Sequence, residues 1–242
     1  MIHIKVLITI PFNSRVPILS RWLKYLLKWV YASNHQVEVW IEDTPNRMDW
    51  SISACVQYAK DSNPDVWVRL DADTVPETPL DECLQYVFEN KRERGWDVTG
   101  VATIMMDGVV QARFEPPYDE PKKGTPVPNS ALEVVWVSGS LVFTPKSVFS
   151  KMEPVGEYVY RDGKTKNFYI QPQHPSATED VDFCERIRAL GFKVCADLRI
   201  HVGQHRPQTN IPSLRSVING HTMRFGESVT VTDLADSEVH SE

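Results

Sequence analysis

Strand, helix, strand, helix, strand is the order in which the N-terminal part of this chain spaces its apolar residues, and that alternation restricts the fold more than any other feature. Residues 2–10 alternate and then run apolar with β-branched side chains until Pro11 and Asn13 end the run. Ile18, Leu19, Trp22, Leu23, Leu26, Leu27 and Val30 then recur at helical spacing, with Arg21, Lys24 and Lys28 on the other side. A basic side of that kind suits a membrane surface or a helix packed on a sheet, and packing on the sheet is the expectation. Residues 36–41 form a second strand ending at Glu42-Asp43-Thr44-Pro45, a helix over about 50–60 stops at Asn63-Pro64, and residues 65–70 deliver the chain to Asp71-Ala72-Asp73. This order implies parallel pairing in an α/β domain. Ligands in such sheets bind beyond the carboxyl ends of the strands, so the topology gathers loops 11–15, 42–47 and 71–73 on one rim.

Further along, residues 80–92 read as a helix, 97–105 as a strand, and 133–143 as a strand broken by Ser138-Gly139-Ser140. Residues 115–130 hold five of the 17 prolines and read as a long loop, as do residues 160–177. Ser176-x-x-Glu179 has capping-box spacing ahead of a helix through Val181, Cys184, Ile187 and Leu190, which Gly191 stops; a strand over 192–196 follows. Asp182 reads as part of that helix's polar face. The expectation is one α/β domain over residues 1–225, its mostly parallel central sheet flanked by helices, with 1–106 and 107–225 as its halves. Residues 226–242 carry five acids and no Lys or Arg and read as a flexible acidic tail.

Lys and Arg number 26 against 32 Asp and Glu, a net charge of −6, which argues against binding along a nucleic acid backbone. No apolar run approaches the ~20 residues of a membrane-spanning helix, and no secretory signal is visible. Cys55, Cys83, Cys184 and Cys195 form no Cys-x-x-Cys pair. They read as small buried core residues of a cytoplasmic protein.

Asp-x-Asp alone is a weak motif: 16 aspartates in 242 residues give about one chance occurrence, and there are two. The copy at Asp71 and Asp73 follows the apolar strand Val66-Trp67-Val68-Arg69-Leu70, which sets both carboxylates at the sheet rim. There they suit a hard divalent cation completed by substrate phosphates, or a turn whose acids cap backbone N–H groups.

The ordered set of segments resembles the GT-A-fold nucleotide-sugar glycosyltransferases, especially the family 2-like group. The matching stretches are Pro11-Phe12-Asn13-Ser14-Arg15, Glu42-Asp43-Thr44-Pro45, Leu70-Asp71-Ala72-Asp73, Val137-Ser138-Gly139-Ser140-Leu141-Val142-Phe143, Thr178-Glu179-Asp180-Val181-Asp182-Phe183-Cys184, Gly191-Phe192-Lys193-Val194 and Ile200-His201-Val202-Gly203. It departs from the family at Thr144-Pro145-Lys146, where Arg or Lys pairs usually stand.

The resemblance implies a GT-A-like domain whose first half binds a nucleoside-diphosphate sugar and whose second half binds a hydroxyl acceptor and carries the base. Pro11, Asn13 and Asp43 would hold the nucleoside, and Ser138 and Gly139 would line the donor site. Asp71 would contact the ribose or a metal-bound water, or join the metal ligands; Asp73 would ligate the cation, with His201, or else His205, completing the set. An imidazole among oxygens favours Mn²⁺ over Mg²⁺. Glu179 and Asp180 supply the remaining acid, Asp180 being the candidate base. Two other readings are a nucleotidyltransferase, although the loop after the first strand lacks the Gly-rich basic character expected there, and an inactive sugar-nucleotide or glycan-binding module.

Overall fold

The computed structural model describes residues 3–12, 20–43, 48–104, 110–114, 130–159, 163–171, 178–206 and 209–211. The expected loop at 115–129 and the acidic tail lie outside these residues, as do 160–162 and 172–177 of the expected loop 160–177. The other half of that loop, 163–171, is described and holds a strand over Thr165–Phe168, formed because Gly156–Val159 pairs with it, a partner that no local pattern reveals. The first half comprises β1 (Lys5–Phe12), α1 (Ser20–Tyr31), β2 (Gln36–Asp43), α2 (Met48–Ser62), β3 (Val66–Leu70), β4 (Thr74–Pro76), α3 (Leu80–Arg94), β5 (Val98–Gly100) and β6 (Thr103–Ile104). The second comprises β7 (Val110–Phe114), β8 (Ala131–Val137), β9 (Leu141–Pro145), α4 (Lys146–Phe149), β10 (Gly156–Val159), β11 (Thr165–Phe168), α5 (Glu179–Ala189), β12 (Val194–Asp197), β13 (Val202–Arg206) and β14 (Thr209–Ile211).

Nine strands form one sheet in the order β2-β1-β3-β9-β5-β12-β8-β7-β6. Followed through the pairings, β1, β2, β3, β5, β7 and β12 point one way, and β6, β8 and β9 run against them. The α/β class and the prevailing strand direction are those expected. The strand expected over 97–105 is instead two strands: Val101 donates to Leu141 O beyond β5, and the chain then leaves β9 to pair β6 with β7. The break at 138–140 separates two strands that are not neighbours, since β5 and β12 lie between β9 and β8.

Alternation along the central strands builds a core on each face. Val6, Ile8 and Ile10 of β1 and Val66, Val68 and Leu70 of β3 pack with Trp22, Leu26 and Trp29 of α1 and with Leu80, Leu84 and Val87 of α3. Leu7 and Trp67 point the other way, toward Ile52 and Val56 of α2 and Phe183 and Ile187 of α5. The period of two therefore puts Arg69, two residues after Trp67, on the α5 side of the sheet. All four cysteines are buried and free, and burial pushes the Cys55 thiol up to about 12.

Helix α1 packs on the sheet as expected, and it also holds the acidic turn in place. The indole N–H groups of Trp22 and Trp29 donate to Thr74 O at 2.7 Å and Thr78 O at 2.8 Å, on and just past β4. Strand β4 is held on its other flank by antiparallel pairing with β13. No helix among the described residues is long and apolar enough to cross a membrane.

Close approach of β5 to the end of β8 requires glycine at position 100, where a Cβ would overlap the Val137 side chain. Gly100→Ala is therefore expected to destabilise the fold by about 1–3 kcal/mol, the usual cost of overpacking. Urea unfolding would show this as a lower midpoint at unchanged slope; an unchanged midpoint would mean that the strands part without cost.

Candidate active site

Arg69 is the centre of the site, and its side chain is only 4% exposed. Burying a guanidinium costs several kcal/mol unless its charge and donors are matched. Here they are matched by one acid two residues on and by two from the start of α5. Nη1 donates to Asp180 Oδ1 at 2.6 Å, Nη2 and Nε reach Asp71 Oδ1 at 3.1 and 3.3 Å, and Glu179 Oε1 lies 3.7 Å from Nη2. Burial alone would disfavour the cation, but Asp180, Asp71 and Glu179 outweigh it and keep Arg69 charged. The arginine reaches Asp180 across Gly139, where a Cβ would overlap Arg69 Cζ and Nη2 and Asp180 Oδ1.

Each partner is delivered by local structure. Asp71 leaves the end of β3, its N–H bonded to Ser140 O at 3.1 Å and its carbonyl accepting from Thr74 N at 3.0 Å, so residues 71–74 form a tight turn beside the 138–140 crossing. Ser138 and Ser140, both buried, share a hydroxyl bond of 2.8 Å that braces this crossing. Glu179 and Asp180 open α5, where the exposed backbone N–H groups favour negative charge. The expected capping box is replaced: the N-cap is Thr178, with no side-chain cap bond, and Glu179 is turned toward Arg69 instead. Asp182 also differs from expectation. It is buried and accepts from Gln171 N at 2.9 Å and Arg186 Nε at 2.5 Å, anchoring α5 to the segment after β11.

Carboxylates outnumber the guanidinium. Burial pushes the Asp71 carboxyl up from 3.8, Arg69 opposes the shift, Asp180 and Asp73 reinforce it, and the balance lies at about 6. Glu179 is raised by burial and by Asp180 against the pull of Arg69, with a small contribution from buried Asp49 in the first turn of α2.

The rim forms as the topology required. Pro11, buried, pairs with Glu42, and Phe12 pairs with Asp43, while Thr9 pairs with Arg69, so β1, β2 and β3 end together. Asn13 lies outside the described residues, and for Asp43 only the backbone position is described. His201 sits farther along: its carbonyl accepts from Glu77 N at 2.9 Å, and its N–H donates to Thr78 Oγ1 at 2.9 Å. The β4–β13 register ends with Gln204 against Thr74, and the backbone of His205 pairs with Asn210 of β14. Among the described residues, no three of His, Cys, Asp and Glu converge on a metal position. The excess of carboxylate over guanidinium nevertheless fits a hard cation held through one or two carboxylates and completed by phosphates.

Sequence reasoning missed Arg69 and Asp49. The signal for Arg69 was present, since a lone charge inside Val66-Trp67-Val68-Arg69-Leu70 has to be paired, but its partner Asp180 lies 111 positions away.

No protein-family model matches this chain, and no curated protein sequence matches it. Among solved structures, A197 from STIV is similar with a TM-score of 0.57 at 15% identity, over 84% of this chain and 86% of that one. Drosophila β-1,4-galactosyltransferase 7 in complex with manganese, UDP-Gal and xylobiose gives a TM-score of 0.46 at 15% identity, over 97% of this chain and 79% of that one. CMP:2-keto-3-deoxy-manno-octonic acid synthetase complexed with CTP gives 0.44 at 13% identity, over 78% and 88%. The first likeness shows a shared fold alone, and the two lower scores carry no argument.

The raised Asp71 carboxyl has a consequence for stability. Between 3.8 and about 6 the folded protein keeps a proton that the unfolded chain has released, so this group's contribution falls as pH rises through that window and is level above it. Asp71→Asn removes the titration. Its stability relative to wild type is expected to rise by roughly 1–3 kcal/mol between about pH 4 and about pH 7 in urea unfolding. A difference that stays constant with pH would contradict this.

Proposed function

We propose that this protein is a GT-A glycosyltransferase that moves a sugar from a nucleoside diphosphate to a hydroxyl acceptor with inversion at the anomeric carbon. One observation carries the reading: Asp71, at the end of a central strand, and Asp180, at the start of α5, are bonded to one buried guanidinium. Their closeness supports reading Asp71 as a donor-side acid and Asp180 as the base on the same rim. The likeness to solved structures supports the fold, and the ordered motifs support the chemistry.

In this reading Pro11, Asn13 and Asp43 hold the nucleoside, and Ser138 and Gly139 floor the sugar-phosphate site. Asp73 with Asp71 would hold a divalent cation, Mn²⁺ in preference to Mg²⁺, which would supply positive charge to neutralise the departing diphosphate. An imidazole would complete the set, His201 by the sequence pattern or else His205. Asp180 takes the acceptor's hydroxyl proton as the acceptor oxygen bonds to the anomeric carbon. The bond from that carbon to the diphosphate oxygen breaks, and its electron pair leaves with the nucleoside diphosphate. Glu179 keeps the mouth of the site negative.

Asp180→Asn keeps shape and helix-start hydrogen bonding but cannot accept the proton, so turnover should fall about 10²–10⁴-fold with donor affinity little changed. Loss of donor affinity instead would make Asp180 a binding residue. NMR of the product from an α-linked donor should show a β-linkage, and an α-linkage would sink the base. The nucleotidyltransferase reading is separated by its products, because sugar transfer releases nucleoside diphosphate whereas nucleotidyl transfer from a triphosphate releases pyrophosphate.

For the cation, Asp73→Asn should abolish Mn²⁺-dependent binding of nucleoside diphosphate without lowering apo stability. His201→Ala should weaken that binding more than His205→Ala does. Undiminished binding in Asp73→Asn would remove Asp73 from the site, and the reverse order of the histidines would move the ligand to His205.

A further inference from the structure

The proposed mechanism assigns no task to Arg69, although it is the most buried charged group in the site and bonds to both sides of it. We infer that Arg69 is the positioning residue of the base: it fixes Asp180 relative to Asp71, and so relative to the donor. This inference rests on the glycosyltransferase reading above and deepens it.

The geometry is specific. Nη1 donates to Oδ1 of Asp180 at 2.6 Å, so among the described residues Arg69 holds the acid by one oxygen, and the role proposed for Oδ2 is to take the acceptor proton. Nε and Nη2 hold Asp71 Oδ1. A planar guanidinium with several fixed donors can make both attachments at once, whereas an ammonium is a point charge on a flexible stem. Strand β3 fixes the arginine's root, because Arg69 is paired with Thr9 of β1 and Val142 of β9. Gly139 supplies the gap through which the guanidinium meets Asp180. A carboxylate at the start of a helix moves with its helix, and a misplacement of about 1 Å costs up to 10²-fold in rate. A tie to the central sheet removes that freedom.

The test uses steady-state transfer by the full chain, with the donor titrated and folding checked by near-UV circular dichroism. Arg69→Gln should lower kcat about 100-fold while donor KM stays within about threefold. Arg69→Lys keeps the positive charge among the acids, so it carries the test where Arg69→Gln fails to fold, and its kcat should still fall about 10-fold because it cannot bridge both acids. Gly139→Ala leaves the arginine in place but displaces its guanidinium, and should lower kcat as well; because Gly139 also floors the donor site, a rise in donor KM is expected beside it in this variant alone. Guanidinium ion at millimolar concentration should restore part of the turnover of Arg69→Ala and leave wild type unaffected, a response that a purely structural role would not give.

Unchanged kcat in folded Arg69→Lys and Gly139→Ala overturns the inference while the glycosyltransferase reading stands. A rise in donor KM at intact kcat also overturns it, by placing Arg69 in the donor pocket. A wild type that neither binds nor turns over any nucleoside-diphosphate sugar overturns the reading itself, and the inference with it.

Discussion

A guanidinium buried in the face of a sheet is the constraint around which this molecule is arranged. Water is not available to Arg69, so its charge has to be met by protein, and the partners come from the end of β3 and the start of α5. The arrangement then dictates its surroundings. Position 139 has to lack a side chain, α5 has to begin where Arg69 can reach, and the turn after β3 has to bend Asp71 back toward its own strand. Removing one acid alone would leave a buried charge less well compensated, which is more damaging than losing the pair as a unit.

Rigidity around that cluster comes from ordinary packing. Trp22 bolts α1 to β4 and Trp29 bolts it to Thr78 just past that strand, Asp182 ties α5 to Gln171, and the strand ends on the rim are in register. The acidic turn and the helix start are therefore both mounted on the central sheet rather than on free loops. Such mounting is what a site needs if two substrates are to meet in a fixed geometry.

What could be read from sequence followed from local chemistry. Apolar period and turn residues placed β1, α1, β2, α2 and β3, and from their order the rim of Pro11, Glu42 and Asp71 followed. Long-range pairing was not legible. Asp182 looked solvated because helical spacing says nothing of what faces a polar residue, and here the Gln171 backbone and Arg186 claim it. Ser176 and Glu179 had the spacing of a capping box, but Arg69 across the sheet competes for Glu179. The division of residues 97–105 into β5 and β6 depends on β9 and β7 as partners, which no local pattern reveals.

The decisive measurement is a crystal structure of the protein with a nucleoside diphosphate and Mn²⁺. The diphosphate is expected at the rim where β1, β2 and β3 end, close to the Asp71–Asp73 turn, with Arg69 still joining Asp71 to Asp180. A nucleotide bound elsewhere, such as the groove lined by Ile4, Leu84, Tyr86 and Phe88 along α3, would contradict it.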